Sequence, residues 1–123
     1  MITSSVQKGP DLYGGPASDE VEPGIHSATV KEWRMYRNDF GERRVLSLAL
    51  GDGRIVETSF PLRATRTGKL WRVLCGALGR EPSLHELDNP AKAMPLGISC
   101  RVVTGTFYDM RGRPYARIDT VTK

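Results

Sequence analysis

The chain has 123 residues, 18 Lys and Arg against 14 Asp and Glu, and a formal net charge of +4. One domain is the expectation at this length, and no apolar run approaches the roughly 20 residues of a membrane-spanning helix. Two cysteines, Cys75 and Cys100, are too few for a disulfide scaffold, and the composition excludes coiled-coil and collagen-like chains. The first fifteen residues lack the apolar stretch of a secretory signal, so the expectation is a soluble protein of the cytoplasm.

Charge divides unevenly along the chain. Residues 1–23 hold one base, Lys8, and four acids, Asp11, Asp19, Glu20 and Glu22, a balance of −3; residues 24–123 carry +7. Gly9-Pro10, Gly14-Gly15-Pro16 and Pro23 punctuate the acidic segment, and no helical or strand period survives in it. This predicts a flexible N-terminal arm over 1–23 and a basic domain over 24–123. Such asymmetry points to nucleic acid or another polyanion as partner. Thirteen of the 18 bases are Arg, a bias that genome composition alone can also produce.

Residues 25–36 alternate as a first strand, with His26, Ala28 and Val30 on one side. A polar loop is expected over 37–43, where Asn38-Asp39 precedes Gly41. Residues 44–50 give a second strand with Leu46, Leu48 and Leu50 on one face. Asp52-Gly53 supplies the tight turn of a hairpin, and 54–60 follow as a third strand with Val56, Thr58 and Phe60 inward. The period then changes. Leu70, Val73, Leu74, Ala77 and Leu78 form the stripe of an amphipathic helix over 67–78, with Thr65 or Thr67 as N-cap and Gly79 as left-handed C-cap. The connection 80–97 contains a capping-box pattern at Ser83-Leu84-His85-Glu86, and Pro90 and Pro95 limit any helix there. Residues 98–104 give a fourth strand with Ile98, Cys100 and Val102 inward, and Gly105 reads as a bulge or bend. Residues 109–112 form a turn, and 113–121 a fifth strand with Ala116 and Ile118 inward.

The order β-β-β-α-β-β resembles the OB-fold, a five-stranded Greek-key barrel with its helix between strands 3 and 4. The segments GIHSATV, GKLWRVLCGALG and PLGISCRVV are similar to small OB-fold proteins of phages and mobile elements, although His26 stands where those carry an aromatic. The resemblance implies an all-β domain that binds single-stranded DNA, without catalysis, in the replication or recombination of a phage or mobile element in a bacterial cytoplasm or nucleoid. It leaves room for a homo-oligomer or a replication or recombination protein as partner.

The residues themselves support a ligand surface. In OB-folds, ligands lie across strands 2–3 and between the β1–β2 and β4–β5 loops, and those regions are rich in bases and aromatics. The first offers Trp33, Arg34, Tyr36, Arg37, Phe40, Arg43 and Arg44; the second offers Phe107, Tyr108, Arg111, Arg113, Tyr115 and Arg117. Cations neutralise phosphates while aromatic faces stack bases. Trp33, Tyr36, Phe40, Tyr108 and Tyr115 are the expected stacking residues; Arg34, Arg37, Arg43, Arg44, Arg111, Arg113 and Arg117 the expected phosphate contacts. Against this, Trp33 can cap the barrel and Phe107 or Tyr108 can be ordinary cross-strand partners. The outward face of strands 2 and 3, with Val45, Ser47, Ala49, Ile55, Glu57 and Ser59, offers no aromatic platform. The other class is therefore an OB-type protein-interaction module.

Signs of catalysis or metal binding are thin. His26 reads as a core histidine and His85 as a surface one. Cys75 and Cys100 lack metal-ligand spacing and read as small core residues, and Gly51-Asp52-Gly53 lacks the rest of a nucleotide fingerprint. No cofactor is expected.

Overall fold

A computed structural model of the chain describes residues 19–39, 41–62, 65–108 and 110–123. These residues form β1 (Gly24–Asn38), β2 (Gly41–Leu50), β3 (Ile55–Pro61), α1 (Lys69–Leu78), α2 (Leu84–Asp88), α3 (Pro90–Ala93), β4 (Ser99–Tyr108) and β5 (Pro114–Thr122). The strands pair antiparallel in one sheet of order β3-β2-β1-β4-β5. The expected closed barrel is corrected to an open sheet. It curls until β3 and β5 approach each other, but no ladder joins them among the described residues.

Two register shifts interrupt the strand ladders. The β1–β2 register shifts between Val30 and Glu32, leaving Lys31 as the extra residue. A bulge of this kind exchanges which residues face inward. Ala28 and Val30 are buried before it, and Trp33 packs on the core after it. The expected polar loop over 37–43 is therefore mostly strand, with Arg37 paired to Glu42 and Tyr36 to Arg43. The β4–β5 register shifts between Val103 and Thr104, leaving Asp119 of β5 as the extra residue; β4 itself passes the expected bend at Gly105 and continues to Tyr108.

The core lies on the concave side of the sheet. Leu46, Leu48, Val56, Phe60, Val102, Ile118 and Val121 meet Leu70, Val73 and Leu74 of α1 there. The cap of α1 differs from expectation: Gly68 is the N-cap and no side chain caps it, while Thr67 takes a positive φ of 69°. Gly79 ends the helix in the left-handed region as expected, its N–H donating to the Cys75 carbonyl. Gly76 is required by packing, since a Cβ there would lie 1.9 Å from the Val121 carbonyl oxygen of β5. The single expected helix is joined by α2 and α3. Ser83 and Glu86 form the capping box of α2, and Pro90 opens α3 within its first turn. Ile98, expected inward, precedes β4 and is exposed.

Residues 19–23, placed by the sequence in the flexible arm, are tied to the domain. The Asp19 N–H donates to the Ile55 carbonyl at 2.8 Å, and the Ile55 N–H donates to Asp19 Oδ2 at 2.8 Å. Val21 is buried in the core. Arg54 grips both oxygens of Glu22, and the Thr104 hydroxyl donates to the Glu22 carbonyl. The segment thus fastens to β3 on one side and β4 on the other. Residues 1–18 lie outside the described residues.

Candidate nucleic-acid interface

The structure sorts the expected contacts into three groups. The first belongs to the core or to internal pairing. Trp33 stands 6.2 Å from Phe60, ring to ring, and its indole N–H donates to the Met94 carbonyl at 2.9 Å. Arg44 turns to the concave side and donates to the carbonyls of Leu87 and Asp88, the last turn of α2, where a cation satisfies otherwise orphaned acceptors. Arg34 is bidentate to Glu57 at 2.5 and 2.9 Å, and Ser47 also donates to Glu57. Arg37 pairs with Glu42 across the hairpin, which raises its pKa through the hydrogen bond and then the charge of that carboxylate.

The second group lies on the convex face. Phe107 of β4 and Tyr115 of β5 are direct partners across the ladder, with ring centroids 6.3 Å apart. Arg117, two residues along β5, stands over the Phe107 ring with its guanidinium carbon 4.7 Å from the centroid. Gly105 leaves the space, since a Cβ there would meet the Phe107 ring at 3.4 Å. Phe107 is half-buried and Tyr115 is exposed. Around the seam, Arg43 donates to the Ser59 hydroxyl at 3.2 and 3.3 Å. Tyr36 is its neighbour on β1 and half-buried.

The third group sits at the β4–β5 turn. Arg111 and Arg113 are exposed there, as is Tyr108 at the end of β4. Tyr108 is paired with Pro114. Phe40 lies outside the described residues.

Sequence reasoning missed Lys69 and Arg72. Lys69 opens α1 and donates through Nζ to the Ser59 carbonyl at 3.0 Å, with Nζ 5.3 Å from the Phe60 ring centroid. Its pKa is held down to about 8, by burial first and then by the charges of Arg117, Arg43 and Arg72. The available signal was the i, i+3 spacing of Lys69 and Arg72 beside the apolar stripe, which sets both on one side of the helix. A second basic site was also missed in part. Arg54 at the β2–β3 turn holds Glu22, whose carboxyl falls to about 2 through the Arg54 hydrogen bond first.

His26 Nε2–H donates to the Glu22 carbonyl at 2.9 Å, and the residue is half-buried. Cys100 is buried, which pushes its thiol pKa up, and Cys75 is half-buried. Among the described residues, no group of three or more His, Cys, Asp or Glu is placed to hold a metal ion, and no helix is long and apolar enough to cross a membrane. No protein-family model matches the chain, and no curated protein sequence matches it.

Proposed function

We propose that this chain is an OB-type domain that binds single-stranded nucleic acid, DNA in the setting of phage or mobile-element replication or recombination, and does so without catalysis. The observation that carries the reading is the half-exposed column of Arg117, Phe107 and Tyr115 on the convex face. Aromatic faces with neighbouring cations suit unpaired bases and their phosphates: each stacked base contributes about 1–3 kcal/mol, and arginine can both stack and grip phosphate. The five-stranded curl with an inserted helix supports the OB-type reading, with residues 19–23 hydrogen-bonded to β3 and β4.

A titration of fluorescent oligo-dT at two salt concentrations tests this. The expected result is saturable binding whose affinity falls steeply with salt, as counterion release requires. No binding at low salt, with tryptophan and tyrosine fluorescence unchanged, overturns it. A second reading, an OB-type interaction module, is favoured by one observation: Leu84, Leu96 and Ile98 of the β3–β4 connection are exposed at 79%, 67% and 42%. Self-association in sedimentation, lost on replacing Leu84 and Leu96 with Ser, supports that reading.

A further inference from the structure

Arg43 and Lys69 meet on one residue of β3. The Arg43 guanidinium donates to the Ser59 hydroxyl and the Lys69 ammonium to the Ser59 carbonyl. Arg72 of α1 and Arg117 of β5 lie close enough that their charges act on Lys69. Two carboxylates on the packed strands stand near this group, and neither pairs with it. Glu57, two residues before Ser59 on β3, is held by Arg34. Asp119, two residues beyond Arg117 on β5, has Oδ2 near Gly105, the ladder partner of Arg117, but makes no ion pair with Arg117 among the described residues. Among the described residues, no carboxylate forms an ion pair with Arg43, Lys69, Arg72 or Arg117. Three guanidinium charges around a half-buried ammonium repel it, and an anion seated among the four cations offsets that repulsion.

We propose that Arg43, Lys69, Arg72 and Arg117 form a binding site for one phosphate group, set where β3, α1 and β5 meet. Ser59 is the positioning residue. It orients two donors from different elements while leaving each with unused N–H groups. The proposal deepens the single-strand reading and rests on it only for the chain that carries the phosphate. The site adjoins the Phe107–Tyr115 column through Arg117, so a strand stacked there runs one of its phosphates past Lys69. Seating an anion favours the protonated ammonium, so binding is coupled to proton uptake.

The test uses the full chain carrying lysine labelled with 13C at Cε. The Lys69 resonance is titrated with pH in three samples: NaCl alone, sodium pyrophosphate, and a ten-nucleotide oligo-dT, all at matched ionic strength. The expected result is an upward displacement of the Lys69 titration midpoint by both phosphate compounds. In parallel, Lys69→Met and Ser59→Ala are measured for oligo-dT affinity after a check that their thermal melts are intact. Lys69→Met should bind about tenfold more weakly, with a salt slope shallower by about 0.7, the loss of one single-strand phosphate contact. Between pH 7 and 9 the wild-type affinity should fall about tenfold, as expected for a group titrating near 8, and that fall should vanish in Lys69→Met.

A response to pyrophosphate without oligo-dT binding keeps the phosphate site and overturns the single-strand reading. Oligo-dT binding with an unmoved Lys69 midpoint, and an unchanged affinity in Lys69→Met, keeps the reading and overturns the site. An unmoved midpoint with both compounds also overturns the site, whatever the variants do.

Discussion

Arg34 of β1 holds Glu57 of β3 with two guanidinium nitrogens, at 2.5 and 2.9 Å, reaching over the intervening strand β2. Ser47 of β2 lies between them, buried, and shares the carboxylate. The Glu57 side chain is 8% exposed and that of Arg34 26%. A pair so shielded is costly to break from one side, because the remaining charge stays desolvated. Arg34→Ala should therefore lower stability in urea by about 3 kcal/mol. The double variant Arg34→Met with Glu57→Leu should recover most of that loss, since an apolar pair of similar size leaves no charge behind. Equal loss in both variants would show that the ion pair is not the source.

The two tryptophan and tyrosine environments make opposite predictions. Tyr115→Ala removes an exposed ring from the convex face and should weaken oligo-dT binding by about 1–3 kcal/mol, with little change in melting temperature. Trp33→Phe removes the indole donor to the Met94 carbonyl and should cost about 1 kcal/mol of stability while leaving affinity unaltered. Affinity that follows Trp33 and ignores Tyr115 would move the binding surface to the concave side.

Gly76→Ala tests the contact between α1 and β5. The added methyl would meet the Val121 carbonyl oxygen at 1.9 Å, backbone that cannot swing aside as a side chain can. The helix must shift, and overpacking of this kind costs about 1–3 kcal/mol or more. Calorimetry should show a clear drop in melting temperature, whereas Ala77→Gly, next along the helix, should show the smaller loss of helix propensity, about 1 kcal/mol.

Lys69 also gives the domain a pH dependence. Its folded pKa is depressed from 10.5 to about 8, so the folded state disfavours the charged form. The penalty is fully present below pH 8 and is relieved as pH rises from 8 towards 10.5, where the unfolded chain binds the extra proton. Stability attributable to this group should therefore increase over that window. Subtracting the urea stability profile of Lys69→Met from that of the wild type isolates it; a flat difference would remove Lys69 as the cause.

Val21 tests the boundary of the domain. Its side chain is buried in the core, so Val21→Ala should destabilise by about 1–2 kcal/mol through lost burial and an unfilled volume. Glu20→Ala, next to it and exposed, should be nearly silent in the same urea titration.

Local pattern was enough to determine much of this protein. Alternating Leu46, Leu48 and Leu50, the Asp52-Gly53 turn, the stripe from Leu70 to Leu78 and the Ser83–Glu86 capping box each specify local structure through neighbours a few residues away, and each forms as expected. A bulge breaks such a pattern without marking it, which is why the end of β1 read as a loop and why Trp33 read as a surface ring. Charge is less legible still. Thirteen arginines are visible in the composition, but whether each is spent or available depends on partners far along the chain: Arg34 on Glu57, Arg44 on the end of α2, Arg54 on Glu22. Only the tertiary structure decided that Arg43, Lys69 and Arg117, from three separate elements, converge without an ion pair to a carboxylate among the described residues, because that convergence is produced by the curl of the sheet and the seating of α1 against β5.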